Sequence, residues 1–338
     1  MIPPTTPDPE QTNVYPPAPS HGYEQPVYGP NPPGFWQHPI TRIVIFALIT
    51  VVFIILLSVG WAVIDFQSAM SITQMKQPVL AISEVIQCVA SVAAFLIMVL
   101  AYERRTLAST GFTRTYIARD LTIGFLFGGA LMATVIVALM LCGVYHPTGL
   151  GTLGAGAGLW LLTFLCTAIF EETTFRAYLL RVSGERRGAT FGLVVSSIVF
   201  GLIHLGNPAP GLTTLQRAIG PIFIALEAGL LMGALYIWTG RIWMSIGLHW
   251  AWDFFEGPVF GTGVSGVPAP SFINAHIKGP FVLTGGSFGP EAGLPCLLIC
   301  TTVALLVIRR ARRAGRWELN KTPQPVSPSF PSTPTPLS

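Results

Sequence analysis

Charge is scarce in this chain. Asp, Glu, Lys and Arg make up 10% of its 338 residues, against a hydrophobic share of 51%. Soluble domains carry about 25% charged residues, so a soluble globular protein is excluded, and the mean hydropathy of +0.61 agrees. Cysteine is present but in no metal-binding spacing. Cys88, Cys142, Cys166, Cys296 and Cys300 all lie in or beside apolar stretches, where they read as small buried apolar residues rather than disulfides or ligands. A glycine-rich phosphate loop, a GxSxG elbow and an HExxH pair are all missing, which removes the common nucleotide, serine-hydrolase and zincin motifs. The first forty residues have no apolar core, so no cleavable signal peptide is expected.

What is present is a set of long apolar runs between two polar tails. Residues 1–40 hold twelve prolines, with Tyr15, Tyr23 and Tyr28 among them, and residues 317–338 hold six more among Ser and Thr. Such composition buries too little apolar surface to fold, and both tails are expected to be disordered and solvated, with partner binding through polyproline II segments as the alternative. Between them, residues 41–316 contain eight candidate membrane spans of about 20 residues each, near 42–64, 78–102, 121–145, 158–181, 188–205, 219–239, 243–261 and 291–309. The expected fold is all-α and polytopic.

Arginine placement supports that count. Arg104, Arg105, Arg114 and Arg119 follow the second span, Arg181, Arg186 and Arg187 the fourth, Arg241 the sixth, and Arg309, Arg310, Arg312, Arg313 and Arg316 the eighth, whereas the alternate loops hold only Lys76, Arg217 and Lys278. Eight spans put every basic cluster on one side. The positive-inside rule makes that side cytoplasmic, with both termini there. The net charge of +4 then reflects topology and gives no reason to invoke nucleic acid. The tails suggest a bacterial plasma-membrane protein.

Against this apolar background, five polar residues stand out. Glu171 and Glu172 sit side by side in the fourth span, His204 ends the fifth, and His249 and Asp253 lie in the seventh. A charge at the bilayer centre costs about 2.5–3.5 kcal/mol on insertion scales, so such residues usually face a cavity and serve a function. Glu172 and Arg176 are four apart in the favourable order for a helical ion pair, whereas Glu171 has Phe175 at that spacing and no cation of its own on the helix. Glu172 is thus expected to be structural. Glu171, desolvated and unpaired, is the candidate base. His249 and Asp253 share one helix face, where the acid can fix the imidazole tautomer or simply seal a helix contact. His204 alone is weak evidence. It precedes Gly206, Asn207 and Pro208, which end its helix. Glu84 and Glu227 are further membrane acids with no assigned role, and Glu256 follows Asp253 toward the same cavity. Gly229 and Gly233 read as a close helix contact.

Taken in order, Glu171-Glu172-x-x-x-Arg176, Phe200-x-x-x-His204 and His249-x-x-x-Asp253 resemble the EExxxR, FxxxH and HxxxN/D motifs of the CPBP family, the CAAX proteases and bacteriocin-processing enzymes also called Abi proteins. The likeness covers residues 119–261 and extends to Leu235–Gly240. It implies an eight-helix intramembrane glutamic endopeptidase needing no bound metal. In that scheme Glu171 activates water with His204 assisting. His249 and the residue at 253 stabilise the oxyanion, and Glu172 and Arg176 support Glu171. The substrate would be a peptide or protein cut near its membrane anchor. The departure is Asp253, where the eukaryotic enzymes have Asn. An ionised Asp cannot donate to an oxyanion, so Asp253 must be protonated or must orient His249 instead.

Two other functions fit the same residues. One is a zinc protease with Glu171, His204 and His249 as ligands, although these come from three separate helices. The other is a scaffold or transporter whose acids carry protons, a reading that an inverted repeat would favour and the sequence does not show. Glu171 lies sixteen residues before Arg187 and His204 seventeen after it. At 1.5 Å per residue both are expected about 25 Å from that basic turn, at one depth and toward the non-cytoplasmic half.

Overall fold

The computed structural model describes residues 34–66, 78–153 and 156–319. Most of the two tails therefore lies outside the described residues, as does Lys76. A short 3-10 turn at Phe35–Gln37 leads into the first helix at Pro39, a residue whose fixed φ suits the first helical turn.

The protein is an all-α membrane protein. Helices α1 (Pro39–Ile64), α2 (Val79–Tyr102), α3 (Ile117–Leu141), α5 (Ala189–Gly206), α6 (Thr214–Thr239) and α8 (Leu294–Arg313) are long and apolar enough to cross a membrane. Helix α4 runs through Ala157–Glu172, Thr173–Leu180 and Arg181–Arg187, and α7 through Trp243–Phe254 and Phe255–Val259. Each expected span therefore has a helix, but α4 and α7 fall outside the six. The physical reason is plain in the sequence. Glu171 and Glu172 dilute the hydropathy of α4, and α7 is short and carries His249, Asp253 and Glu256.

One element was not expected. The third helix stops at Leu141, and Tyr145–Leu150 pairs antiparallel with Ile273–Ile277, setting His146 opposite His276. Gly143, at φ +68°, takes the left-handed turn that ends the helix. Cys142 beside it is exposed, not buried as its apolar neighbourhood suggested. The other cysteines are buried or half-buried, and all five are free thiols.

Two features hold the bundle in register. At one end, Arg42 of α1 reaches Glu103 after α2 at 2.5 Å and Glu185 of α4 at 2.6 Å, while Arg181 bonds Glu185 at 2.7 Å and Arg105 reaches it at 3.2 Å. Burial alone would push the Glu185 carboxyl up, but the charges of Arg181, Arg42 and Arg105 outweigh it and hold the group below its ordinary value. On the same side Asp120 pairs with Arg241, and Trp317 donates to Thr190 at 2.9 Å. Of the arginines that the sequence assigned to one face, Arg105 and Arg181 meet in this network.

The second feature is close helix approach. Gly124 and Gly128 of α3 lie against the Met244 and Leu248 carbonyls of α7, and Gly247 lies against that of Leu121, so a Cβ at any of these would collide with backbone. The α3–α7 contact sets the position of His249. Gly229 and Gly233 do the same for α6, against Ser197 and Leu193 of α5, as expected from their spacing. Gly124→Val is expected to destabilise the bundle by about 1–3 kcal/mol, read as a lower unfolding temperature in detergent, whereas Gly60→Val on the open face of α1 is expected to leave it unchanged.

Candidate active site

The site is built from the middle of α4 outward. Glu171 and Glu172 end its regular α-helical part, and a π stretch, Thr173–Leu180, follows at once. Such wide turns recur at functional sites because they re-aim side chains. Arg176 donates from Nη1 to Glu172 Oε1 at 2.7 Å, with both side chains at most 1% exposed, so the expected i,i+4 pair forms. Arg176 Nη2 donates to the Ala228 carbonyl at 3.2 Å. Its guanidinium lies 4.2 Å from the centroid of the Phe200 ring. One arginine thus ties α4, α5 and α6 together, and Phe200 serves as its cation–π partner.

Helix α7 completes the cluster. His249 Nδ1 lies 2.9 Å from Glu172 Oε1, while Nε2 lies 3.5 Å from Glu171 Oε2 and 3.6 Å from Asp253 Oδ2. An ionised carboxylate only accepts hydrogen bonds. Nδ1 therefore carries a proton and donates to Glu172, which aims Nε2 at the gap between Glu171 and Asp253. The helix is pinned nearby by Trp250 Nε1 donating to the Leu161 carbonyl at 2.9 Å and Ser245 Oγ to that of Met232 at 2.9 Å. Glu172 is more than a partner for Arg176, since it also orients the imidazole. Glu171 lacks a cation on its own helix but gains His249 from another. The two acids differ in access, with side-chain exposures of 12% for Glu171 and 0% for Glu172.

His204 stands at the edge of this cluster. Its Nδ1 donates to the Phe200 carbonyl at 2.7 Å, and the Phe200 ring lies 4.9 Å from the His204 ring and 6.3 Å from the His249 ring. It makes no hydrogen bond or ion pair with Glu171, so Phe200 is what links the two histidines. The zinc set does not converge. Glu171, His204 and His249 are not among the described residues whose ligand atoms all fall within 4.8 Å of one another, a condition met only by Glu227, Cys296 and Cys300.

Several neighbours were not marked as site residues. Glu84 accepts from Thr167 Oγ1 at 3.0 Å, and Thr167 lies one turn before Glu171 on the same face of α4. Glu291, just before α8, accepts from Ser265 Oγ at 2.5 Å and lies within electrostatic reach of both His204 and Glu171. Glu256 is buried, with its carboxyl against the Glu291 backbone. The sequence offered one signal for Glu291, an acid at the very edge of an apolar run. Only the folded loop over residues 263–293 brings it to the site.

Every residue of the three motifs falls within a single stretch of recognised likeness. Residues 153–255 match the family model of type II CAAX prenyl endopeptidase Rce1-like proteins. This segment is similar to the type II CAAX prenyl endopeptidases. The recognition made from the motifs is thereby borne out. No curated protein and no solved structure matches it.

Proposed function

We propose that this CAAX-type protease is a glutamic intramembrane endopeptidase in which Glu171 activates water. The observation that carries the reading is His249, held by Glu172 at Nδ1 and facing the more accessible Glu171 with Nε2 at 3.5 Å. A water bound to one side of this pair is within hydrogen-bond reach of both groups. Glu171 takes its proton, the hydroxide adds to the scissile carbonyl, and the oxyanion forms beside the Nε2–H of a doubly protonated His249 and a protonated Asp253. The tetrahedral intermediate then collapses, with the proton from Glu171 passing to the leaving amine. Arg176 and Glu172 are positioning residues, and His204 assists from the rim. Residues 119–261 hold this machinery within a membrane domain of 41–316, flanked by the two proline-rich tails.

In this reading α4 and α7 also cross the bilayer, giving eight spans with both termini on the cytoplasmic, arginine-rich side of a bacterial plasma membrane. Glu171 lies fourteen residues before Glu185, about 20 Å from the arginine network, which supports a site nearer the opposite face. The substrate is a membrane-anchored peptide or protein. Comparative membrane proteomics of wild type against Glu171→Gln tests this directly: an uncut substrate should accumulate in the variant, and identical profiles would count against a protease.

Asp253 provides a sharper test of the oxyanion assignment. Its Oδ2 sits 3.6 Å from Nε2, beside the position the oxyanion takes. Asp253→Asn supplies a donor in the same volume and is expected to keep kcat within about tenfold, whereas Asp253→Leu should lose about 10²–10³-fold. A large loss in the Asn variant would instead assign Asp253 to holding His249 by charge.

A further inference from the structure

A second polar cluster lies between α6 and α8, with no part in the steps above. Glu227 sits in a π stretch of α6, Ala225–Gly229, and is 1% exposed. Cys296 and Cys300 lie one turn apart on α8 and are 0% and 1% exposed. Their sulfurs are 4.0 Å apart, and one carboxylate oxygen of Glu227 joins them in a group whose ligand atoms all fall within 4.8 Å of one another. Cys296 is the one hydrogen-bonding partner within reach of the Glu227 carboxyl, and the remaining acceptor sites of that carboxyl are unfilled. A buried polar group left in this state is costly, and burying it beside two thiols on a neighbouring helix calls for an explanation.

We propose that Glu227, Cys296 and Cys300 form a buried site for a thiophilic divalent cation, with zinc the best fit. The sulfur separation supports this. Tetrahedral zinc with Zn–S bonds of about 2.3 Å sets its two thiolates about 3.8 Å apart, close to the distance found, whereas a disulfide requires about 2.05 Å. The i,i+4 spacing of the cysteines puts both on one helix face, and the carboxylate comes from the facing helix. Two thiolates and a carboxylate carry three negative charges, of which the dication cancels two. Binding releases the thiol protons. Zinc is redox-inert and all three ligands are closed off from substrate, so the ion acts as a staple between α6 and α8. There Thr301 already donates to the Leu226 carbonyl at 3.2 Å.

The test is metal content and spectroscopy on the purified full-length protein in detergent. Wild type is expected to hold about one equivalent of zinc. After chelation it should take up Co²⁺ with a thiolate-to-cobalt charge-transfer band in the near ultraviolet. Cys296→Ser/Cys300→Ser should lose the metal and the band, and Glu227→Gln should weaken both, while Glu171→Gln keeps them. Wild type that binds no Co²⁺ overturns the proposal without any variant having to fold. Metal retained in the double serine variant but lost in Glu171→Gln also overturns it and moves the ion to the Glu171–His249 cluster.

Discussion

Glu171→Gln is expected to lower cleavage of a membrane-anchored peptide by about 10²–10⁴-fold, the usual contribution of a positioned general base, while leaving insertion and unfolding temperature unchanged. Glutamine matches the shape of glutamate but cannot accept a proton from water. The variant should fold because Glu171 is the partly exposed acid of the pair and its one close polar contact, His249 Nε2, is 3.5 Å away. Initial rates in liposomes, with a thermal melt in detergent as the folding control, are the measurement. Full turnover by the variant would end the glutamate-base mechanism, though not the family assignment.

Arg176→Met should act mainly on stability. It removes the cation from a carboxylate that is 0% exposed, and breaking a buried ion pair from one side costs about 3–5 kcal/mol. It also forfeits the hydrogen bond to Ala228 and the contact with Phe200. Adding Glu172→Gln removes the stranded charge, so the double variant should regain most of the lost stability, with a coupling energy well above the error of a double-mutant cycle. Turnover should not return with it. The neutral amide still accepts from His249 Nδ1 but no longer stabilises a charged imidazole. A double variant no more stable than Arg176→Met would show that the guanidinium matters for packing rather than for charge.

Much of this site was legible because a membrane makes polar residues conspicuous. In a chain with 10% charged residues, Glu171, Glu172, His249 and Asp253 stood out, and helical spacing alone paired Glu172 with Arg176 and His249 with Asp253. Arginine placement put the ends of α1, α2 and α4 on one side, where Arg42, Glu103 and Glu185 meet. What sequence spacing does not carry is contact between helices. The bond from His249 to Glu172, the stacking of Arg176 on Phe200 and the approach of Glu291 all join residues dozens of positions apart. The strand pair at 145–150 and 273–277 was missed for the same reason: each strand is short, and its partner lies more than a hundred residues away. Cys296 and Cys300 looked like ordinary apolar residues until α6 brought Glu227 beside them.

The π stretch after Glu172 has a consequence for how α4 does two jobs. Its first half must point carboxylates at α7, and its second half must point Arg181 and Glu185 at α1 and α2. A uniform helix fixes the angular offset between two such faces by residue count alone. The wide turns of Thr173–Leu180 reset that phase, so the cleft and the arginine latch can each be aligned independently along one continuous rod.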